Sequence, residues 1–300
     1  VEAFVSDATM TPPDAAQDPL EITKQSGSNF LAGFLCLDAR RRHGMTVVYA
    51  FCRVVDDAVD DAPDVATARG RLAFWSRELA SCHGGQPETP VGVALKAVVE
   101  DFSIQTGALE DLIAGCAMDL NPEGIADAAE LELYCYRVAS AVGLACLPVL
   151  GATSAGAEKF AHALGQALQF TNVLRDLRGD AEIERYYAPK TWLAEFGITA
   201  KDLLGTGDAQ HYAAGGGVTQ LSQRLAGIAR EQFATARAEL RRLPLSERRA
   251  LVAPRIMGAI YGELLRRLER RGGAISEPRM RVPRGRKLWL AASVWMGVRV

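Results

Sequence analysis

Two stretches of this sequence set acidic side chains into otherwise apolar helices. In AFCRVVDDAVDDAPD (residues 50–64) and the residue before it, Tyr49, Arg53, Asp56 and Asp60 recur at steps of four, three and four. At about 100° per residue they fall on one narrow stripe of an α-helix. The rest of that perimeter is Val47, Val48, Ala50, Phe51, Val54, Val55, Ala58 and Val59. A helix apolar on nearly every side is buried, so the stripe is expected to face an internal cavity. In QFTNVLRDLRGDAEIERYY (residues 169–187), Gln169, Asn172, Asp176 and Asp180 repeat the pattern at steps of three, four and four, among Leu164, Leu168, Phe170, Val173, Leu174 and Leu177.

Buried carboxylates without counter-charge are costly and take up protons. Two such pairs stay ionised only if cations sit among them. Magnesium suits the arrangement, because it takes one or two carboxylates and fills its remaining octahedral positions with water and phosphate oxygens. Arg53, Arg175 and Arg185 flank the same stretches and can hold further phosphate oxygens by charge-assisted hydrogen bonds. The chemistry expected is a helix-walled pocket that grips a diphosphate through magnesium, with the two acidic patches meeting around the ions. A single Asp pair one turn apart is commonly no more than a solvated helix face. Two pairs on apolar helices, each preceded by matched polar residues, argue for the site.

The elements that must carry these stripes are helices. Strand-like alternation is scarce, and Ala/Leu/Arg/Glu-rich segments are broken by HGGQPETP, NPEG and GTGDAQHYAAGGG. Helices are expected at 28–40, 44–61, 64–81, 91–116, 128–150, 154–179, 218–242, 246–271 and 286–297. The 300 residues, 49% hydrophobic, suffice for a substantial core. They read as one all-α domain over 21–300, a helical bundle with a central cavity, behind a loose acidic tail at 1–20. The uncharged run 138–157 has the length of a membrane span, but Pro148 and its small residues make it a closely packed or kinked core helix. A net charge of -2 argues against nucleic acid as a partner, and the Arg pairs 241–242, 248–249 and 266–267 read as solvated helix edges. Six cysteines without a C-x-x-C pair read as small core residues of a reduced, cytoplasmic protein, and four scattered histidines offer no zinc set.

With YAFCRVVDDAVD, QFTNVLRDLRGD, RYYAP and YCYRVASAVG (residues 134–143), the chain resembles the squalene/phytoene synthase family of head-to-head prenyltransferases. The likeness runs from about Ser26 to RKLWLA near the C-terminus. VVDDAVD and LVAPRIMGAIYGELLRRLERRG favour the bacterial branch that makes presqualene diphosphate for squalene and hopanoids.

The resemblance implies an isoprenoid-synthase fold and condensation of two farnesyl diphosphates to presqualene diphosphate, with magnesium as cofactor. Asp56, Asp60, Asp176 and Asp180 are implied metal ligands, with Asp57 nearby and Asn172 as a further metal or diphosphate contact. Arg53, Arg175 and Arg185 are implied diphosphate contacts. Tyr49, Tyr134, Tyr187 and Tyr261 match tyrosines lining the reaction chamber, and Gln169 a polar residue near the reacting carbons. Ser26, Ser28, Asn29 and Phe30 match a segment that closes over a diphosphate. The chain departs from the family pattern at Gly179, usually acidic, at Asn29, usually a small hydroxyl residue, and at Ser140, usually glycine.

Other readings stay open at this point. Phytoene synthase, acting on two geranylgeranyl diphosphates, and complete squalene synthase share the motifs. DDAVD also spells the D-D-x-x-D of head-to-tail chain-elongating enzymes, but Asn172 and a lone Asp176 after Arg175 do not fit their second signature. A helical partner-binding scaffold is the non-enzymatic alternative. No G-x-G-x-x-G occurs, GTGDAQ being a near miss, so reduction by NADPH is not expected. The C-terminal MRVPRGRKLWLAASVWMGVRV either completes the core or rests on the inner membrane face as a peripheral anchor, the former being favoured.

Overall fold

The computed structural model describes residues 12, 15–25, 34, 37–271 and 279–297. Most of the expected tail lies outside these residues, as do Ser26, Ser28, Asn29 and Phe30. The described residues form helices α1 (Pro19–Gln25), α2 (Ala39–Asp60), α3 (Val65–Ser81), α4 (Pro90–Phe102), α5 (Gly107–Met118), α6 (Ala128–Cys135), α7 (Ala141–Leu150), α8 (Ala155–Glu182), α9 (Lys190–Phe196), α10 (Ala200–Leu203), α11 (Gly217–Arg242), α12 (Leu245–Ala250), α13 (Val252–Arg270) and α14 (Arg284–Trp295). A π-helical turn, Tyr136–Ser140, joins α6 to α7, and a 3₁₀ turn spans Ala209–Tyr212. Among the described residues there is no strand, so the chain is all-α as expected.

Two compact units are present: residues up to Leu120 with Ala141–Thr153, and Asn121–Ser140 with Ser154 onward. In the first unit α2 is the central helix, packed by α1, α3, α4, α5 and α7. Its Val47, Val48, Ala50, Phe51, Val54, Val55 and Ala58 are fully or nearly fully buried. The helix begins five residues before the expected 44, because the Asp38 carboxylate accepts the Arg41 N–H at 2.9 Å and caps it. Phe51 meets Trp75 of α3 edge to face at 6.1 Å, a geometry that adds about 1 kcal/mol to the area buried.

The helix expected over 91–116 is two. Ser103 adopts a left-handed φ of 55° that ends α4, and Thr106 precedes a new start at Gly107. Apolar periodicity continues across both pieces, which hid the break from the sequence.

In the second unit the 28-residue α8 packs along α11 and against α6, the π turn and α13. Ser154 caps α8, accepting the Ala157 N–H at 3.2 Å, and its hydroxyl donates to Glu247 at 2.6 Å. Gly165 lies against the π turn so closely that a Cβ there would sit 2.5 Å from the Ser140 Cα. Ser140, at the usual glycine position, is buried and donates its hydroxyl to the His162 carbonyl at 2.8 Å. The extra oxygen is therefore satisfied within the unit.

Residues Ala128–Leu150 are, among the described residues, the one helix long and apolar enough to cross a membrane, and 44% of its most apolar window is buried in the fold. The π turn breaks its α-helical run, and Pro148 sits inside α7, which continues to Leu150. Short helices α1, α9 and α10 had no counterpart in the sequence reading. They are too brief to show a periodicity and depend on caps and packing.

Candidate active site

In the first unit, α2 buries its valines and leaves Tyr49, Arg53, Asp56 and Asp57 half-buried and Asp60 exposed. Tyr49 packs edge-on against Phe34, ring centroids 6.4 Å apart. Arg53 pairs with Asp56 at 3.3 Å and more closely with Asp57. Burial opposes the guanidinium charge, but Asp57 and Asp56 outweigh it and raise the Arg53 pKa. The Asp56 carboxyl is pushed up to about 7, first by burial and then by the neighbouring Asp60 charge. Half of that side chain stays open to solvent, which damps the effect. Asp119, at the end of α5, adds a further negative charge near Asp56. Only the fold brings it there, since a lone acid ending an apolar helix carries no sequence signal. Cys52 and Cys116 stand beside the same cluster with thiol pKa values raised well above the ordinary range, chiefly by burial.

The second unit presents its stripe on α8. Gln169, Asn172, Asp176 and Asp180 are all half-buried, while Phe170, Thr171, Val173, Leu174, Leu177 and Ala181 are buried. Asn172 donates its amide to Gln169 at 3.0 Å, and its own carbonyl oxygen is buried with no hydrogen-bond partner among the described residues. Asp176 is held by two guanidinium forks. Arg175 donates through Nε at 2.8 Å and through Nη2, while Arg279 donates at 2.7 and 2.6 Å. Burial acts to raise the Asp176 pKa, yet the hydrogen bonds from Arg175 and Arg279 prevail and hold it below the usual carboxylate range. Asp180 goes the other way, to about 7, because burial and the Asp176 charge exceed the pull of Arg279, Arg175 and Arg185.

Local backbone sets these positions. After α8 ends at Glu182, Glu184 takes a left-handed φ of 59°, and the Arg185 N–H turns back to donate to the Asp180 carbonyl at 2.8 Å. Tyr261 of α13 lies near Arg175 and favours its charged form. Tyr187 stacks on Tyr134 of α6 with ring centroids 4.9 Å apart. Gly124, at φ +67°, lies so close to this segment that a Cβ would meet the Tyr186 carbonyl oxygen at 2.6 Å. Arg279 was missed by the sequence reading, since nothing in EPRMRVP marks its pairing 103 positions upstream. Gly179 faces open space, so the missing acidic side chain is not excluded by packing.

Among the described residues, no three His, Cys, Asp or Glu side chains converge closely enough to hold an ion by themselves. The donors present still suit a hard, hydrated divalent cation. Each cluster offers an i, i+4 carboxylate pair with one member strained toward protonation, and the second adds the unpartnered Asn172 carbonyl. A cation that keeps waters and substrate oxygens needs no more than this.

The squalene/phytoene synthase family model matches residues 23–286. The chain belongs to the squalene/phytoene synthase family. A presqualene diphosphate synthase of Rhodopseudomonas palustris is 34% identical over 93% of this chain and 95% of its own length. One from Zymomonas mobilis is 34% identical over 84% of this chain and 83% of its own length. The crystal structure of a dehydrosqualene synthase superposes with a TM-score of 0.77 at 26% identity, covering 93% of this chain and 95% of the other. The fold described above is thus shared with that solved synthase, and the acidic stripes of α2 and α8 both lie within the matched residues 23–286.

Proposed function

We propose that this chain condenses two farnesyl diphosphates head to head to presqualene diphosphate, as a magnesium-dependent prenyltransferase. Its similarity to proteins of that name over 84–93% of the chain carries the reading, and the two carboxylate stripes supply the chemistry. Asp56, Asp60, Asp176, Asp180 and Asn172 are assigned as metal ligands. Arg53, Arg175 and Arg185 are assigned to diphosphate oxygens, with Asp57 holding Arg53 in place. Magnesium, when bound, supplies Lewis-acid neutralisation of the leaving group.

The arginines bind the donor's diphosphate as its C–O bond breaks and the electron pair leaves with oxygen. The acceptor's double bond attacks the resulting allylic cation. Loss of a proton closes the cyclopropane, so two substrates give one presqualene diphosphate, one diphosphate and one proton. The stacked faces of Tyr134 and Tyr187, with Tyr49 and Tyr261, present negative quadrupoles suited to cationic carbon. Gln169 and the segment Ser26, Ser28, Asn29 and Phe30 keep the roles implied by the family. The reading includes a cytoplasmic enzyme working at the inner membrane face, where isoprenoid chains partition.

The test is incubation with farnesyl diphosphate and magnesium, with and without NADPH, and separately with geranylgeranyl diphosphate. Presqualene diphosphate as the end product in both farnesyl arms is expected. Squalene appearing with NADPH makes the chain a complete squalene synthase, and phytoene from the longer substrate replaces the proposal.

A further inference from the structure

The last helix is apolar on two opposite faces. Leu290, Ser293 and Val294 of α14 are buried, and the helix packs against α13. On its other side Leu288 is 71% exposed, Trp295 69%, Met296 64% and Trp289 48%. At about 100° per residue these four and the exposed Ala292 fall within one arc of about 120°. Scattered exposed apolar residues are ordinary, but a stripe with two indoles is not. A helix that only completed the core would be polar on that side.

Charge gathers at the same place. Residues 261–300 hold ten Arg or Lys against three Asp or Glu, whereas the whole chain holds 34 against 36. Arg281 and Arg284 are exposed at the start of α14, and Arg266, Arg270 and Arg271 are exposed at the end of α13. The Arg286 guanidinium lies 4.4 Å over the Trp289 ring, a cation held directly on the apolar stripe. A second copy of the chain docking by the same face would set cation against cation. An anionic bilayer offers what the stripe lacks: acyl chains for Leu, Met and indole, and negative headgroups for the basic end.

We infer that the outer face of α14, Leu288, Trp289, Trp295 and Met296 with Arg281 and Arg284 at its basic end, docks on the surface of an anionic phospholipid bilayer. The helix is already folded against α13, so docking orders little new chain. The inference shares with the proposed function only the membrane position, and it does not depend on the reaction catalysed.

The test is cosedimentation of the full chain with vesicles of phosphatidylcholine alone or with about one third phosphatidylglycerol. Binding to the mixed vesicles is expected, at least about tenfold weaker on phosphatidylcholine alone and reduced by high salt. The double variant Leu288→Ser/Trp295→Ser should lose at least about tenfold in partitioning. Arg281→Glu/Arg284→Glu, which leaves the apolar stripe intact, should lose as much. Thermal unfolding within a few degrees of wild type shows that each variant is folded. No binding to the anionic vesicles, or equal binding by wild type and both variants, overturns the inference. So does a dimer, seen by light scattering, that Leu288→Ser/Trp295→Ser dissociates while vesicle binding persists, because a second copy then covers the face. Product formation from detergent-dispersed farnesyl diphosphate reports on the proposed reaction separately.

Discussion

Magnesium binding should expel protons in an amount set by two carboxyls. Asp56 and Asp180 each titrate at about 7 in the metal-free protein, driven first by burial and then by Asp60 and Asp176 respectively. A group with pKa about 7 is about half protonated at pH 7, so the two together hold about one proton there, about 1.8 at pH 6 and about 0.2 at pH 8. These are upper figures, since solvent at the open side of Asp56 lowers its share. The folded state thus binds more protons than the unfolded state between about pH 4 and 7, so these groups make stability fall as pH rises through that window. Asp176, with its pKa depressed, contributes in the opposite sense, and only as pH drops through the acid range.

Titration calorimetry with magnesium alone, in two buffers of different ionisation enthalpy, counts the protons released. The expected count declines from pH 6 to pH 8, and the metal-free melting temperature rises from pH 8 to pH 6 more steeply than the magnesium-loaded one. Magnesium binding with no proton release at pH 6 would refute the assignment of Asp56 and Asp180 as ligands. Mutation to Asn at both positions should abolish the release, which ties it to these two groups.

Asp56→Asn or Asp176→Asn is expected to abolish product formation while leaving far-ultraviolet circular dichroism unchanged, and retention of more than about a tenth of the rate by both would contradict the metal roles. Gly124→Ala forces a Cβ to 2.6 Å from the Tyr186 carbonyl at a φ of +67°. It should cost about 1–3 kcal/mol in urea unfolding and lower the rate by displacing Tyr187 from Tyr134. Gly165→Ala places a methyl 2.5 Å from the Ser140 Cα, so α8 must move off the π turn at a cost of roughly 1–3 kcal/mol. An unchanged melting temperature would show that α8 does not press against the π turn at this point.

The sequence shows the two stripes plainly, because a 3.6-residue period converts spacing directly into a face. Tyr49, Arg53, Asp56 and Asp60 on α2, and Gln169, Asn172, Asp176 and Asp180 on α8, needed no tertiary information to be grouped. The break at Ser103 was invisible for the same reason: apolar residues keep their period across it, and the left-handed turn lies in the backbone. Arg53 and Arg175 read as clamps for a ligand, whereas in the folded chain each already pairs with an adjacent carboxylate. The C-terminal segment reads from its sequence as either core or anchor, and α14 carries buried apolar residues on one side and exposed ones on the other.

Local periodicity determined from sequence alone that the chain is helical and that two of its helices carry carboxylate pairs. Tertiary structure decided which charges those carboxylates meet. Asp119 approaches Asp56 from another helix, and Arg279 reaches Asp176 across 103 positions of chain. Such long-range pairings depend on how helices pack, and packing leaves no spacing rule in the sequence. The same physics splits two like residues one turn apart: Asp176 stays ionised because two guanidinium groups reach it, and Asp180, with less of that charge, is pushed toward its protonated form.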